Sequence, residues 1–200
     1  MKKFLVTYRR LFFALAVACV AFWATACAIP TWLQDANSII PMLVASATSI
    51  LSFIAALTGN AVAAEVLAAI SAWSTKVDAG LKNIEDLISQ YNENPNDTLL
   101  QNIEGEAQVV VSDIGTFSSI VDVPTAISTK IQAVAQLILT QLIAWMSLLP
   151  AAKKSLAAGT VVTFIVPFDS KSFKSQVNAV WALPTGDAAV DKAAAKVKRL

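Results

Sequence analysis

The sequence predicts a mainly α-helical fold: a bundle of about four helices with a long antiparallel hairpin and a short C-terminal strand-helix appendage. Three observations predict it. Apolar side chains recur at spacings of three and four through residues 61–91, and again through 99–121, the period of one helical face. Between these stretches NENPND, residues 92–97, reads as a turn. Two further stretches, 36–64 and 131–152, carry no charge and suit helices on the inside of a bundle.

The chain opens on MKKFLVTYRR, a positive n-region, followed by the uncharged apolar run LFFALAVACVAFWATA. Together they have the build of a secretory signal. Ala24-Thr25-Ala26-Cys27 resembles the lipobox of bacterial lipoproteins, with Ala24 where leucine is usual. The resemblance implies that Cys27 receives a diacylglycerol thioether, becomes the first residue after cleavage and is then N-acylated. Ala28 stands where aspartate accompanies inner-membrane retention, so the same resemblance implies an outer-membrane lipoprotein facing the periplasm. Two alternatives stay open. Leu11 to Ile29 is long enough to cross about 30 Å of hydrocarbon as an uncleaved signal-anchor. Ala24-x-Ala26 also suits plain cleavage after Ala26 and secretion. Cys19, after Ala16-Val17-Ala18, competes as a lipobox only with a very short apolar region before it. In every version the rest of the chain is exported. Trp32, five residues beyond Cys27, then stands at headgroup level as a membrane-interface anchor, where indole is favoured. The resulting division is a signal peptide over 1–26, an anchoring linker over 27–35, a helical bundle over 36–158, and the strand-helix appendage with its helical tail over 159–200.

Ile39 to Leu57 is as long as a membrane span, yet it carries Ser46, Thr48, Ser49 and Ser52. Ala45, Ser49, Ser52 and Ala56 form a small-residue stripe that lets another helix approach closely. Gly59-Asn60 reads as a helix C-cap. The first arm of the hairpin is marked by Val66, Ile70, Trp73, Val77, Leu81, Ile84, Ile88 and Tyr91. Pro95 forbids its continuation, and Asp97 is available as the next N-cap. The second arm is marked by Leu99, Ile103, Ala107, Val110, Ile114, Phe117 and Val121, with Gly105 and Gly115 each weakening it by about 1 kcal/mol. Asp122-Val123-Pro124-Thr125 breaks and restarts the helix. In the run 131–152, Gln132, Gln136, Thr140 and Ser147 share one face, which predicts a mostly buried helix with one wet edge. Thr160 to Phe168 is β-branched and aromatic and predicts a short strand, confined by Pro167 to an edge or an end. Asp169 or Ser170 caps a short helix bearing Phe173, Val177 and Trp181, and Asp187 to Leu200 is an Ala- and Lys-rich helical tail with fraying ends.

Composition narrows the chemistry. The chain is 56% hydrophobic and 14% charged, against about 25% charged in an average soluble protein. It contains no histidine, which removes the usual general base and the Ser-His and Cys-His nucleophile pairs. Its two cysteines, Cys19 and Cys27, both lie in the first apolar stretch, so the rest has no thiolate metal site. Four of the fifteen basic residues precede that stretch; without residues 1–26, eleven basic residues face fourteen acids, a balance of about −3. Such a surface offers nothing to nucleic acid. Glu85 and Asp86 diverge by about 100° on a helix and read, like Glu104 and Glu106, as a solvated face. Gln132, Gln136 and Gln141 line either a pore or ligand groove, or the plain polar edge of a packed helix. The five tryptophans read as core or interface anchors, with Trp32 set apart. The expectation is an exported, lipid-anchored envelope protein with a scaffold or adaptor role and no catalysis. It has no cofactor and no metal. Its partners are the lipid bilayer, through the N-terminal anchor, and a protein or a second copy. The alternative is a membrane-inserting, pore-forming helical protein that uses 36–64 and 131–152.

Overall fold

The computed structural model describes residues 30–58, 62–150 and 169–200. The chain divides into two compact units, Met1–Gln34 and Asp35–Leu200. Cys27, the cap at Gly59-Asn60 and the strand expected at 160–168 lie outside the described residues. Within them the fold is mainly helical: six α-helices, one 3₁₀ helix and no strand.

Helix α1 runs from Thr31 to Leu57. The Pro30 carbonyl accepts its first bonds, from the N–H groups of Leu33 at 2.9 Å and Gln34 at 3.2 Å. Helical structure therefore starts inside the stretch read from sequence as a linker. Pro41 sits within the helix and removes one N–H from its ladder. Ala36, Ile39, Ile40, Leu43, Ala47, Ile50, Phe53, Ile54 and Leu57 are all buried.

Helices α2 (Ala64–Glu93) and α3 (Asp97–Gly115) form the expected antiparallel hairpin. Cross-contacts fix the direction. Trp73 and Lys76 near the start of α2 meet Asp113 near the end of α3, and Asn83 further along meets Glu106. The apolar stripe read from sequence is the buried face in α2 from Ile70 to Ile88. In α3 it holds at Ile103, Ala107, Val110 and Ile114. The ends need correction. Asn96, not Asp97, is the N-cap: its extended backbone lets its side chain accept from the Leu99 N–H at 2.9 Å. Leu100 is buried and Leu99 only half so. After Gly115 the helix tightens into a 3₁₀ turn, Thr116–Ser119, which carries Phe117 onto Trp73 with ring centroids 4.7 Å apart. The chain then leaves the helix, and Val121 is 74% exposed. Asp122 makes the reversal at φ 61°, a left-handed conformation that aspartate tolerates better than most residues.

Helix α4 spans Thr125–Met146 and begins at Pro124, whose carbonyl takes the N–H groups of Ile127 and Ser128. It starts six residues before the uncharged run and stops before Pro150, a correction to the expected 131–152. Helix α5 (Ser170–Ala182) is capped by Asp169 and buries Phe173, Val177 and Trp181 as expected. Helix α6 (Ala188–Ala195) is capped by Asp187, which accepts from Ala189 and Val190. The tail is packed, with Val190, Ala193, Ala194 and Val197 buried.

Helices α2 to α6 pack in chain order, each on the next. Helix α1 touches α2 and α5 of that series. Thr48 Oγ1 donates to Asp78 of α2 at 2.9 Å. Ser49 accepts the Trp181 Nε1–H of α5 at 3.1 Å, while Phe53 meets the same indole at 5.0 Å. The small-residue stripe on α1 is thus used in part: Ser49 admits an indole, whereas Ser52 stays exposed. Each large aliphatic side chain taken into this core contributes about 1.5–3 kcal/mol.

Candidate functional site

Two of the three flagged glutamines come together. Gln132 and Gln136, one turn apart on the exposed face of α4, line a groove of about 520 Å³ between α4 and the end of the hairpin. The position of Gln132 follows from the register of the helix. Ile131, Val134, Ala135 and Ile138 take the buried side, so residues 132, 136 and 140 turn outward. Ile114 and Phe117 supply apolar walls, and Thr129 and Ser118 stand at the edge. The Thr129 and Ser118 hydroxyls already donate to the Thr125 and Gly115 carbonyls. The two primary amides are therefore the groups left to recognise a partner, each with two donors and an acceptor. Gln141 is half-buried and does not line the groove. No charged side chain lines it either, so it suits neutral hydrogen-bonding groups, such as peptide amides, against an apolar wall.

The chain matches no family model, no curated protein and no solved structure.

The other flagged positions are dispersed. Trp32 lies in the first turn of α1 and is buried, with 4% of its surface exposed. Glu85 borders a smaller groove of about 280 Å³ with Asn37 and Asn92, while Asp86 beside it is exposed. Glu106 accepts from Asn83 at 3.3 Å across the hairpin. Among the described residues no three metal-ligating side chains gather.

Buried charges make up the polar chemistry that sequence reasoning missed. Lys130 is 2% exposed. Its Nζ donates to the carbonyls of Leu183 at 2.6 Å, Val180 at 3.1 Å and Trp181 at 3.5 Å, at the C-terminal end of α5. Those carbonyls have no partner within their own helix and carry the negative end of its dipole. Burial pushes the Lys130 ammonium below its ordinary pKa, Asp191 offsets part of that, and Arg199 adds to it. The signal was present: Lys130 follows Ile127 by three residues and precedes Val134 by four, on the apolar face.

Two carboxylates are also buried, each tied to a lysine at the rim. Asp113 takes Lys76 at 2.6 Å, while its backbone carbonyl takes the Trp73 indole N–H at 2.8 Å. Asp78 takes Lys82 at 2.7 Å and the Thr48 hydroxyl, and its hydrogen bond and charge raise the Lys82 pKa. Asp191 holds the turn before α6 by accepting both the N–H and the hydroxyl of Thr185 at 2.8 Å. Those two bonds lower its pKa.

Proposed function

We propose that this chain is an exported, lipid-anchored helical envelope protein that acts as a non-catalytic adaptor or scaffold, with Cys27 as the lipidated residue. The observation that carries this reading is the way the two span-like helices face. Thr31–Leu57 and Thr125–Met146 are apolar and long enough to cross a membrane by length and composition. In α4, however, Ile127, Ile131, Val134, Ile138, Leu142 and Trp145 are buried, while the exposed side carries Gln132, Gln136 and Thr140 beside a single large apolar residue, Ile143. In α1 the exposed positions are likewise Gln34, Asn37, Ser38, Thr48 and Ser52 among small residues. A helix facing lipid presents its apolar side outward; these two turn it toward the protein. Burial in a bundle of four long helices, with the C-terminal segment as an appendage, accounts for their composition without a bilayer. The Gln132–Gln136 groove is the surface offered to a protein partner, and Ala28 directs the anchor to the outer membrane.

Expression of residues 28–200 without the N-terminal segment tests the reading. It is expected to be soluble without detergent and helical by circular dichroism. A requirement for detergent, or dye release from liposomes, selects the membrane-inserting alternative. For the anchor, palmitate labelling and globomycin-sensitive processing are expected in the full chain and absent in Cys27→Ser. Unchanged migration without label would remove lipidation from the proposal.

A further inference from the structure

A third groove, of about 550 Å³, lies between α1 and the C-terminal segment. Its α1 wall sets Pro41, Met42 and Ala45 beside three hydroxyl side chains; its other rim carries Lys174, Lys198 and Arg199. The volume falls within the roughly 300–1,000 Å³ of small-molecule sites. Charge around it is one-sided. Residues 30–150 hold eleven acidic side chains and three lysines. Two of those lysines are in ion pairs, and the third is buried against carbonyls. Residues 169–200 reverse the balance, with six basic residues against three aspartates. All three aspartates are committed to protein hydrogen-bond donors: Asp169 to Lys171 N–H, Asp187 to the start of α6, and Asp191 to Thr185. No carboxylate side chain among the described residues forms an ion pair with Lys174, Lys198 or Arg199. Asp78, which meets the groove residue Thr48, is already balanced by Lys82. Arg199 is held in place, because its Nη1 donates to the Asn178 carbonyl at 2.9 Å. The remaining N–H groups of its guanidinium are available to an anion.

We infer that this groove binds a monomeric anionic amphiphile, a single alkyl chain ending in a carboxylate or phosphate. The chain lies along Pro41, Met42 and Ala45, and the acid meets Lys174, Lys198 and Arg199. The apolar strip of Pro41, Met42 and Ala45, facing a cationic rim, matches both halves of such a ligand. A groove of about 550 Å³ has room for one such molecule. The inference goes beyond the anchored-adaptor reading and stands whether or not Cys27 carries a lipid.

The test uses the full chain in a neutral maltoside detergent, with its lysines reductively dimethylated by ¹³C and followed by NMR. Lys174→Arg and Lys198→Arg identify the two rim resonances. Titration with octyl phosphate is expected to shift both, saturably, while that of Lys192 stays in place. Inorganic phosphate is expected to bind at least tenfold more weakly, and octyl glucoside to shift neither. Ala45→Trp fills the groove and is expected to abolish the response. Ser52→Phe, at an exposed position of α1, does the same without entering the core, should Ala45→Trp fail to fold. Equal response to inorganic phosphate would reduce the site to a plain anion site and overturn the inference. So would uniform shifts at every lysine, an unchanged response in folded Ser52→Phe, or shifts produced only by anionic vesicles.

Discussion

Lys130 is an ammonium placed where three backbone carbonyls need a donor, and it fastens the end of α5 from a position fifty residues earlier. Lys130→Met keeps the length of the side chain and leaves those carbonyls without a partner. It is expected to lower unfolding free energy by about 1.5–3 kcal/mol, the range for hydrogen bonds to a charged group, read as a fall in urea midpoint at constant slope. The pH dependence has a definite sign. With its native pKa lowered from 10.5, Lys130 binds fewer protons folded than unfolded across the interval up to that value. Its contribution to stability therefore rises with pH there, and Lys130→Met is expected to remove that slope. Asp191 gives a slope of the same sign in acid. Its pKa is depressed below 3.8, so its contribution is complete above that value and is lost as pH falls through the native pKa. Asp191→Asn is expected to flatten the acid limb of a stability–pH curve. Ser74 supplies a third case. Its hydroxyl is buried with no hydrogen-bond partner among the described residues, an arrangement that costs about 1–3 kcal/mol. Ser74→Ala is expected to raise the melting temperature; a fall would mean that the hydroxyl has a partner in solution.

Between α2 and α3 the approach is set by one glycine. A Cβ on Gly80 would stand 2.5 Å from Val110 Cγ2, while one on Gly105 would meet nothing within 4 Å. Valine is stiff at χ1, so the clash is not relieved by a rotamer change. Gly80→Ala is expected to destabilise, overpacking of about 1–3 kcal/mol outweighing the gain in helix propensity. Gly105→Ala is expected to stabilise by about 0.5–1 kcal/mol. Thermal melts of the two variants beside the parent chain test both. The hairpin itself was legible in the sequence because its pattern is local: a 3.6-residue period, a proline in the turn, and amide and carboxylate caps. Where legibility failed, the cause was a change of local geometry that periodicity does not register. The stripe ran on to Val121 because nothing in its spacing announces the 3₁₀ turn after Gly115. Asn96 took the cap from Asp97 because the cap depends on which residue is extended. Helix α5 was readable from Asp169 and from Phe173, Val177 and Trp181 for the same local reasons as the hairpin.

Across the molecule the decisive contacts join residues far apart in the chain, and these were not legible. Trp181 meets Ser49 over 132 positions, and nothing in either neighbourhood names the other. The same holds for the two larger grooves. Gln132 and Gln136 could be flagged by their shared face, but the Phe117 wall that makes them a site comes from another element. The cationic groove draws on residues 41–52 and 174–200 and has no sequence signature at all. If α1 and α5 belong to one cooperative unit, Ser49→Ala and Trp181→Phe are expected to be non-additive by about 0.5–1.5 kcal/mol in a double-mutant cycle, with a single unfolding transition in every variant. Two transitions would separate the C-terminal segment from the bundle.

The fastening of that segment has a consequence for chain continuity. Lys130, Ser49 and Phe53 hold α5 through contacts that do not pass along the backbone from 151 to 168. A chain cleaved once within 151–168 is therefore expected to keep its two pieces together as one native species that migrates as a unit on a native gel. In the Lys130→Met background, the two pieces are expected to part.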